Sequence, residues 1–278
     1  FTSWGTFTGG KSRTNAEHSI PGIKEDRSGM VLGLDYKLGE HIILGAAGAY
    51  SQKYLNERDG GGSAEIKSCT GHLYSLWQEY PAQGGWRFST ALGAGKVLFD
   101  TTRSLDFVNR EADSDHHGYS YSLAAKTNYD HLAGKWTISP GLGLEYAHLH
   151  EESYSESGAD SLDLEMGSRD SHSLQSGLGL EISRMCTLKK IKLVPRLKIK
   201  RLHEFLPESE DLSARFRGTA PEFDAPGRDL PGNSAVVDAS LAAPFSDSVR
   251  AAVGYGFRAA EGNRETAHSL NGELRIMF

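Results

Sequence analysis

Residues 269–278 read SLNGELRIMF, and this stretch decides what kind of fold to expect. Leu270, Gly272, Leu274, Ile276 and Phe278 share one parity; Asn271, Glu273, Arg275 and Met277 share the other. A period of two with one apolar and one mostly polar side is the pattern of a strand whose two faces meet different surroundings. The strand also closes on an aromatic residue, Phe278. The questions are what surface the apolar row meets and what the terminal ring is for.

The same alternation recurs through the chain. In residues 118–131 (GYSYSLAAKTNYDH) Tyr119, Tyr121, Leu123, Ala125, Thr127 and Tyr129 alternate with Ser120, Ser122, Ala124, Lys126, Asn128 and Asp130. Residues 135–148, 171–183 and 28–38 repeat it, and in all four segments every internal Lys, Asp and Glu falls on the second parity. That parity is otherwise small, as in Gly141 with Gly143 and Gly177 with Gly179. A soluble sandwich would turn the apolar row inward and clothe the other in long polar side chains. A membrane barrel does the reverse, with the apolar row on lipid and small or polar groups in the lumen. Tyr119, Tyr129, Trp136 and Tyr146, near the ends of apolar rows, fit interfacial girdles.

Composition sets the outer limits. With 278 residues and 32 glycines, one all-β barrel domain over 1–278 is the natural size. The longest apolar run, Ile42–Ala49, is far below the roughly 20 residues of a spanning helix. A net charge of −6 argues against a nucleic-acid surface. No leader is visible ahead of Phe1, and a mature fragment of a longer precursor is expected. Cys69 and Cys186 are too few for a disulfide framework. They are expected as free thiols at opposite membrane faces.

Twelve strands are expected, near 1–13, 28–38, 41–56, 65–80, 85–100, 117–131, 135–150, 170–184, 190–205, 234–244, 247–259 and 266–278. The gaps alternate between short turns (GE, PAQG, LAG, around MCTLKK, PFSD) and long loops. The resulting fold class is a twelve-stranded antiparallel transmembrane β-barrel with short periplasmic turns, long extracellular loops and both termini on the short-turn side. Pro140 and Pro195, lacking an N–H, should mark bulges or unpaired positions.

Parity also assigns a lumen. In residues 190–205 the row Arg196, Lys198 and Lys200 opposes Leu197 and Ile199. Facing lipid at the midplane would cost about 2–4 kcal/mol per charge, so these cations point inward. Lys126, Asp130, Glu145, Glu181 and Glu273 join them, with Asp35 as a further acid. Such a bore either keeps a translocating chain hydrated or pairs its charges for structure alone.

Several stretches together resemble the β-barrel translocator domain of classical (type V) autotransporters of Gram-negative bacteria. They are SGMVLGLDYKLGEHIILGAAGAYSQ, WTISPGLGLEYAHLHEESYSESG, LVPRLKIKRLHEF and the closing VRAAVGYGFRAAEGNRETAHSLNGELRIMF. The resemblance implies an outer-membrane protein with loops at the cell surface that mediates secretion of its own N-terminal passenger. It implies that Leu270, Leu274, Ile276 and Phe278 form a folding address for the barrel-assembly machinery. Expected partners are outer-membrane lipid and lipopolysaccharide, the passenger and a linker helix through the lumen, with the barrel a monomer. The alternative is an outer-membrane diffusion pore or surface-binding, adhesin-like barrel.

No Gly-x-Ser-x-Gly, His-Glu-x-x-His or phosphate-loop motif occurs. The His116–His117 pair and the set His148, His150 and His172 flank loops; His148 and His150 share a face, a spacing that admits a metal. Exposed loop histidines are ordinarily only polar. No catalytic residue, metal or cofactor is assigned, and the barrel is expected not to be an enzyme.

Overall fold

A strand with one apolar face must bury that face or give it to lipid, and a row of such strands must also satisfy its two edges. A computed structural model of the chain shows how both are met. It describes all residues except 17–19, 59–60, 81–82, 189–190, 208–210, 226 and 247, so three of the short turns lie partly outside the described residues. Twelve long strands follow one another: β1 (Thr2–Thr14), β2 (Ile23–Leu38), β3 (Ile42–Glu57), β4 (Gly62–Gln78), β5 (Gly85–Leu105), β6 (Arg110–Ala133), β7 (Trp136–Glu151), β8 (Arg169–Arg184), β9 (Ile191–Glu204), β10 (Asn233–Pro244), β11 (Val249–Ala260) and β12 (Glu265–Met277). Each pairs antiparallel with its neighbour, and β1 pairs with β12 from Thr2↔Met277 through Thr14↔Glu265. The Phe278 N–H then donates to the Phe1 carbonyl at 3.0 Å. The sheet is therefore a closed barrel with no free edge.

Side-chain exposure settles which way the faces point. Leu178 and Leu270 are 66% and 68% exposed, and no large side chain among the described residues is fully buried. On β2, Met30, Leu32, Leu34 and Tyr36 are exposed, whereas Gly33 and Asp35 between them are buried. The apolar rows face out to lipid and the small and charged parity lines the bore, as the alternation requires.

At the short-turn end the outward rings form a belt. Trp86 lies 5.2 Å from Tyr129 and 6.0 Å from Phe88, which is 5.5 Å from Trp77. A second belt stands at the other end. His148, His150 and His172, expected to flank a long loop, lie near the ends of β7 and β8 on the outward parity. Two of them share one carboxylate, with His148 Nε2 at 2.8 Å and His150 Nδ1 at 2.9 Å from Asp170 Oδ1. Tyr146 and Tyr121 pack beside them. An imidazole has an apolar body and a polar edge, so it serves in an interfacial belt as Tyr does.

Both prolines sit at gaps in the ladders. The β6–β7 pairing breaks between Asn128↔Gly141 and His131↔Ile138, opposite Pro140. The β8–β9 ladder stops at Ser183↔Arg196, one residue short of Pro195. Cys69 is exposed on β4 and Cys186 lies beside the short-turn end of β9; both are free thiols.

At the long-loop end the strands run further than expected. β2 begins at Ile23, and the β5–β6 ladder continues to Leu105↔Arg110, so residues 101–116 are mostly paired strand. The reason is a second layer: residues 152–168 fold over the inward side of this extended hairpin. Leu105, Ala112 and Ala159 form a small apolar core with Leu162. Arg103 grips Glu156 with Nε at 2.9 Å and donates to the Leu162 carbonyl at 2.9 Å. Residues 222–225, 212–216, 164–166 and 154–155 make a four-stranded cap sheet in that order.

Tyr154 anchors this cap, its ring stacked 3.7 Å from His116, which stacks on Phe99 at 4.8 Å. Burial, with the nearby Glu151 charge, pushes its hydroxyl from 10.0 up to about 12. The folded value lies above the unfolded one, so this contribution to cap closure is complete below pH 10 and is lost as pH rises towards 12. Tyrosinate absorbance, wild type minus Tyr154→Phe, should show one group titrating near 12. A difference curve centred near 10 would show the loop open in solution.

Candidate functional site: the barrel lumen

The lumen wall is built by the inward parity of all twelve strands, and its charges fall into three groups. The first joins four strands distant in sequence. Trp4 Nε1 (β1) lies 3.1 Å from Asp35 Oδ1 (β2) and 2.8 Å from the Tyr74 hydroxyl (β4). The Tyr74 hydroxyl donates to Asp35, and Arg275 Nη1 (β12) approaches Asp35 Oδ2 at 3.3 Å. Two inward glycines make the room. A Cβ at Gly33 would lie 2.5 Å from the Trp4 indole, and one at Gly45 would lie 2.1 Å from the Tyr74 ring. Small residues on the second parity are therefore seats for large rings as well as space for water. Glu273 belongs here, its carboxylate 3.5 Å from Arg275 Nε.

The second group is the ladder across β6 to β10. Lys126 Nζ meets Glu145 at 2.5 Å, Arg196 Nε meets Glu181 at 3.0 Å, Lys198 lies 3.9 Å from Glu181, and Lys200 lies 4.0 Å from Asp238. Four cations thus share three carboxylates along one wall. Glycines 141, 143, 177 and 179 lie between them and leave the groove open. A third group, nearer the short turns, is Arg87 on Asp130 at 2.9 Å, with Ser139 Oγ donating to Asp130 at 2.6 Å. On their strands the eight residues expected in the lumen stand on the parity opposite the exposed apolar rows. Leu270, Leu274, Ile276 and Phe278 lie on the outward row of β12, with Phe278 85% exposed.

Sequence reasoning missed Trp4, Tyr74, Arg87, Asp238 and Arg275. Arg275 shares parity with Glu273 and could have been included on that ground. Trp4 was concealed by the Thr- and Gly-rich run of β1, where neither parity is consistently apolar. Among the described residues no cluster of three or more His, Cys, Asp or Glu is arranged to hold a metal ion.

Comparison with known proteins gives concordant results. The family model of the autotransporter beta-domain matches residues 3–256. Outer membrane protein A of Rickettsia conorii is 23% identical over 234 residues, which is 80% of this chain and 11% of that protein. Esterase EstA of Pseudomonas aeruginosa is 26% identical over 188 residues, 64% of this chain and 28% of that protein. The chain therefore spans only a small part of these curated relatives. Among solved structures, the translocator domain of autotransporter NalP from Neisseria meningitidis superposes with a TM-score of 0.80 at 14% identity, covering 100% of this chain and 88% of that one.

Proposed function

Because the chain belongs to the autotransporter β-domain family, and is thereby an outer-membrane translocator barrel, we propose that its lumen conducts and then holds the polypeptide joined ahead of it. The observation that carries this is the closed twelve-stranded ladder with paired charges inside and apolar rows outside. Twelve strands lie between the filled eight-stranded barrel and the open sixteen-stranded channel. One extended chain or one helix about 10–12 Å wide suits such a bore. Paired charges suit this task because each side chain has a partner close by. A sliding segment then meets mainly hydrated polar groups along the charged wall. A linker helix would rest against the ladder of Lys126, Arg196, Lys198 and Lys200, whose cations outnumber their carboxylates.

The outward row ending in Phe278 is assigned to recognition by the barrel-assembly machinery, and the rest of the outer face to lipid and lipopolysaccharide. The barrel acts as a monomer and has no reaction of its own; an activity in the whole protein belongs to the passenger. The test is to fuse a small reporter ahead of Phe1 through the gene's natural upstream segment. Protease shaving of intact cells should release the reporter. A reporter retained in the periplasm beside a normally inserted barrel would overturn the proposal.

A further inference from the structure

Near the long-loop rim the outward face of β1 to β3 carries four cations, three of them without an ion-pair partner among the described residues. Arg13 stands directly opposite Lys24 in the β1–β2 ladder. Opposed Cβ atoms there lie about 4.5–5.5 Å apart, and like charges so placed destabilise a sheet. Arg58 joins them from the end of β3: its N–H donates to the Gly22 carbonyl at 2.8 Å, and its stem covers Gly22 next to Lys24. Lys11 is the fourth, paired with Asp26 at 2.9 Å. Among the described residues no carboxylate lies within ion-pair reach of Arg13, Lys24 or Arg58. The nearby Glu25 and Glu57 lie on the inward parity.

Height on the barrel indicates what these cations meet. On β2 the outward residues run Leu34, Leu32, Met30, Ser28, Asp26, Lys24, from hydrocarbon level to the rim. Polar-tipped rings mark the boundary beside them, with the Tyr255 hydroxyl 2.6 Å from His268 Nδ1. Long cationic side chains just above an apolar band reach back to lipid headgroups. On the outer-membrane placement given above, from which this inference proceeds, that rim meets the outer leaflet, whose lipopolysaccharide carries phosphates. We propose that Arg13, Lys24 and Arg58, with Lys11 beside them, bind the phosphates of a lipopolysaccharide headgroup. The like-charged pair Arg13–Lys24 is then a seat for an anion delivered by the membrane.

The test uses the whole chain refolded in detergent and titrated with fluorescent lipopolysaccharide. Neutralising three cations (Arg13→Gln, Lys24→Gln, Arg58→Gln) should weaken binding by roughly 100-fold, at about fivefold per cation. Enzymatic removal of the lipopolysaccharide phosphates should weaken wild-type binding to the same degree. A control triple at the opposite rim (Lys37→Gln, Lys135→Gln, Arg184→Gln) should leave it unchanged. Phosphatidylglycerol should bind the wild type no better than lipopolysaccharide binds the triple variant. Unchanged affinity in the triple, an equal loss in the control, or tight phosphatidylglycerol binding would each overturn the proposal. Should the triple not fold, Arg13→Gln alone gives the same readout with about a fivefold loss. Heat-modifiable folding of each variant, scored separately, distinguishes failure of this site from failure of the barrel reading.

Discussion

Deletion of Phe278, or its replacement by Glu, is expected to lower the inserted barrel in cells by roughly tenfold or more while synthesis continues, an assembly loss far above the ±0.5 kcal/mol of an ordinary surface substitution. On the assembly role proposed for this row, the loss is one of recognition, because little of the barrel's stability rests on the Phe278 side chain. Phe278 is 85% exposed, and its N–H bond to the Phe1 carbonyl is a backbone contact that the Glu variant keeps. The seam it terminates has thirteen residue pairs between β1 and β12, from Thr2↔Met277 to Thr14↔Glu265, all retained. The purified Glu variant should therefore refold in detergent nearly as well as wild type. The two measurements are heat-modifiable, protease-resistant barrel in outer-membrane fractions and the refolding yield of the pure chain. Normal amounts in the outer membrane would refute the assignment. A matching loss in pure refolding would move the cause to stability.

The second large effect concerns the bore. Placed in a planar bilayer, residues 1–278 should conduct ions, and restoring the natural upstream segment should reduce that conductance to a small fraction, because one helix about 10–12 Å wide nearly fills a twelve-stranded lumen. Reversing Arg196 and Lys198 to Glu should turn ion preference towards cations. Both side chains sit on Glu181, at 3.0 and 3.9 Å, on a wall where cations are in excess. Little stability should be lost. The reversed residues keep access to lumen water, Lys126 and Lys200 remain as cationic neighbours, and pairs of partly exposed charges contribute about 0–1 kcal/mol. Conductance that ignores the upstream segment would sink the translocator reading and leave a diffusion pore. Unchanged selectivity would show that ions pass along a different wall.

Strand number and facing were legible in the residues because lipid on one side and water on the other sort side chains one position at a time. Leu32, Leu34 and Tyr36 against Gly33 and Asp35 is such a local record, and no tertiary knowledge is needed to read it. The basic row Arg196, Lys198, Lys200 was assigned to the lumen on the same ground. Only the closed structure decided who partners whom. Asp35 takes its contacts from Trp4, Tyr74 and Arg275, the last separated from it by 240 positions, and it is the β1–β12 seam that makes these neighbours. The cap was equally hidden. Tyr154, Glu156 and Leu162 look like loop residues until the extended β5–β6 hairpin offers Arg103, Ala112 and His116 as an inner surface. His148 and His150 could be placed on one face from the sequence, but their stacking partner His172 on the neighbouring strand is set by the β7–β8 register, His148↔His172. Alternation belongs to each strand and can be read along it, whereas pairing across a barrel depends on register and closure, which no single strand contains.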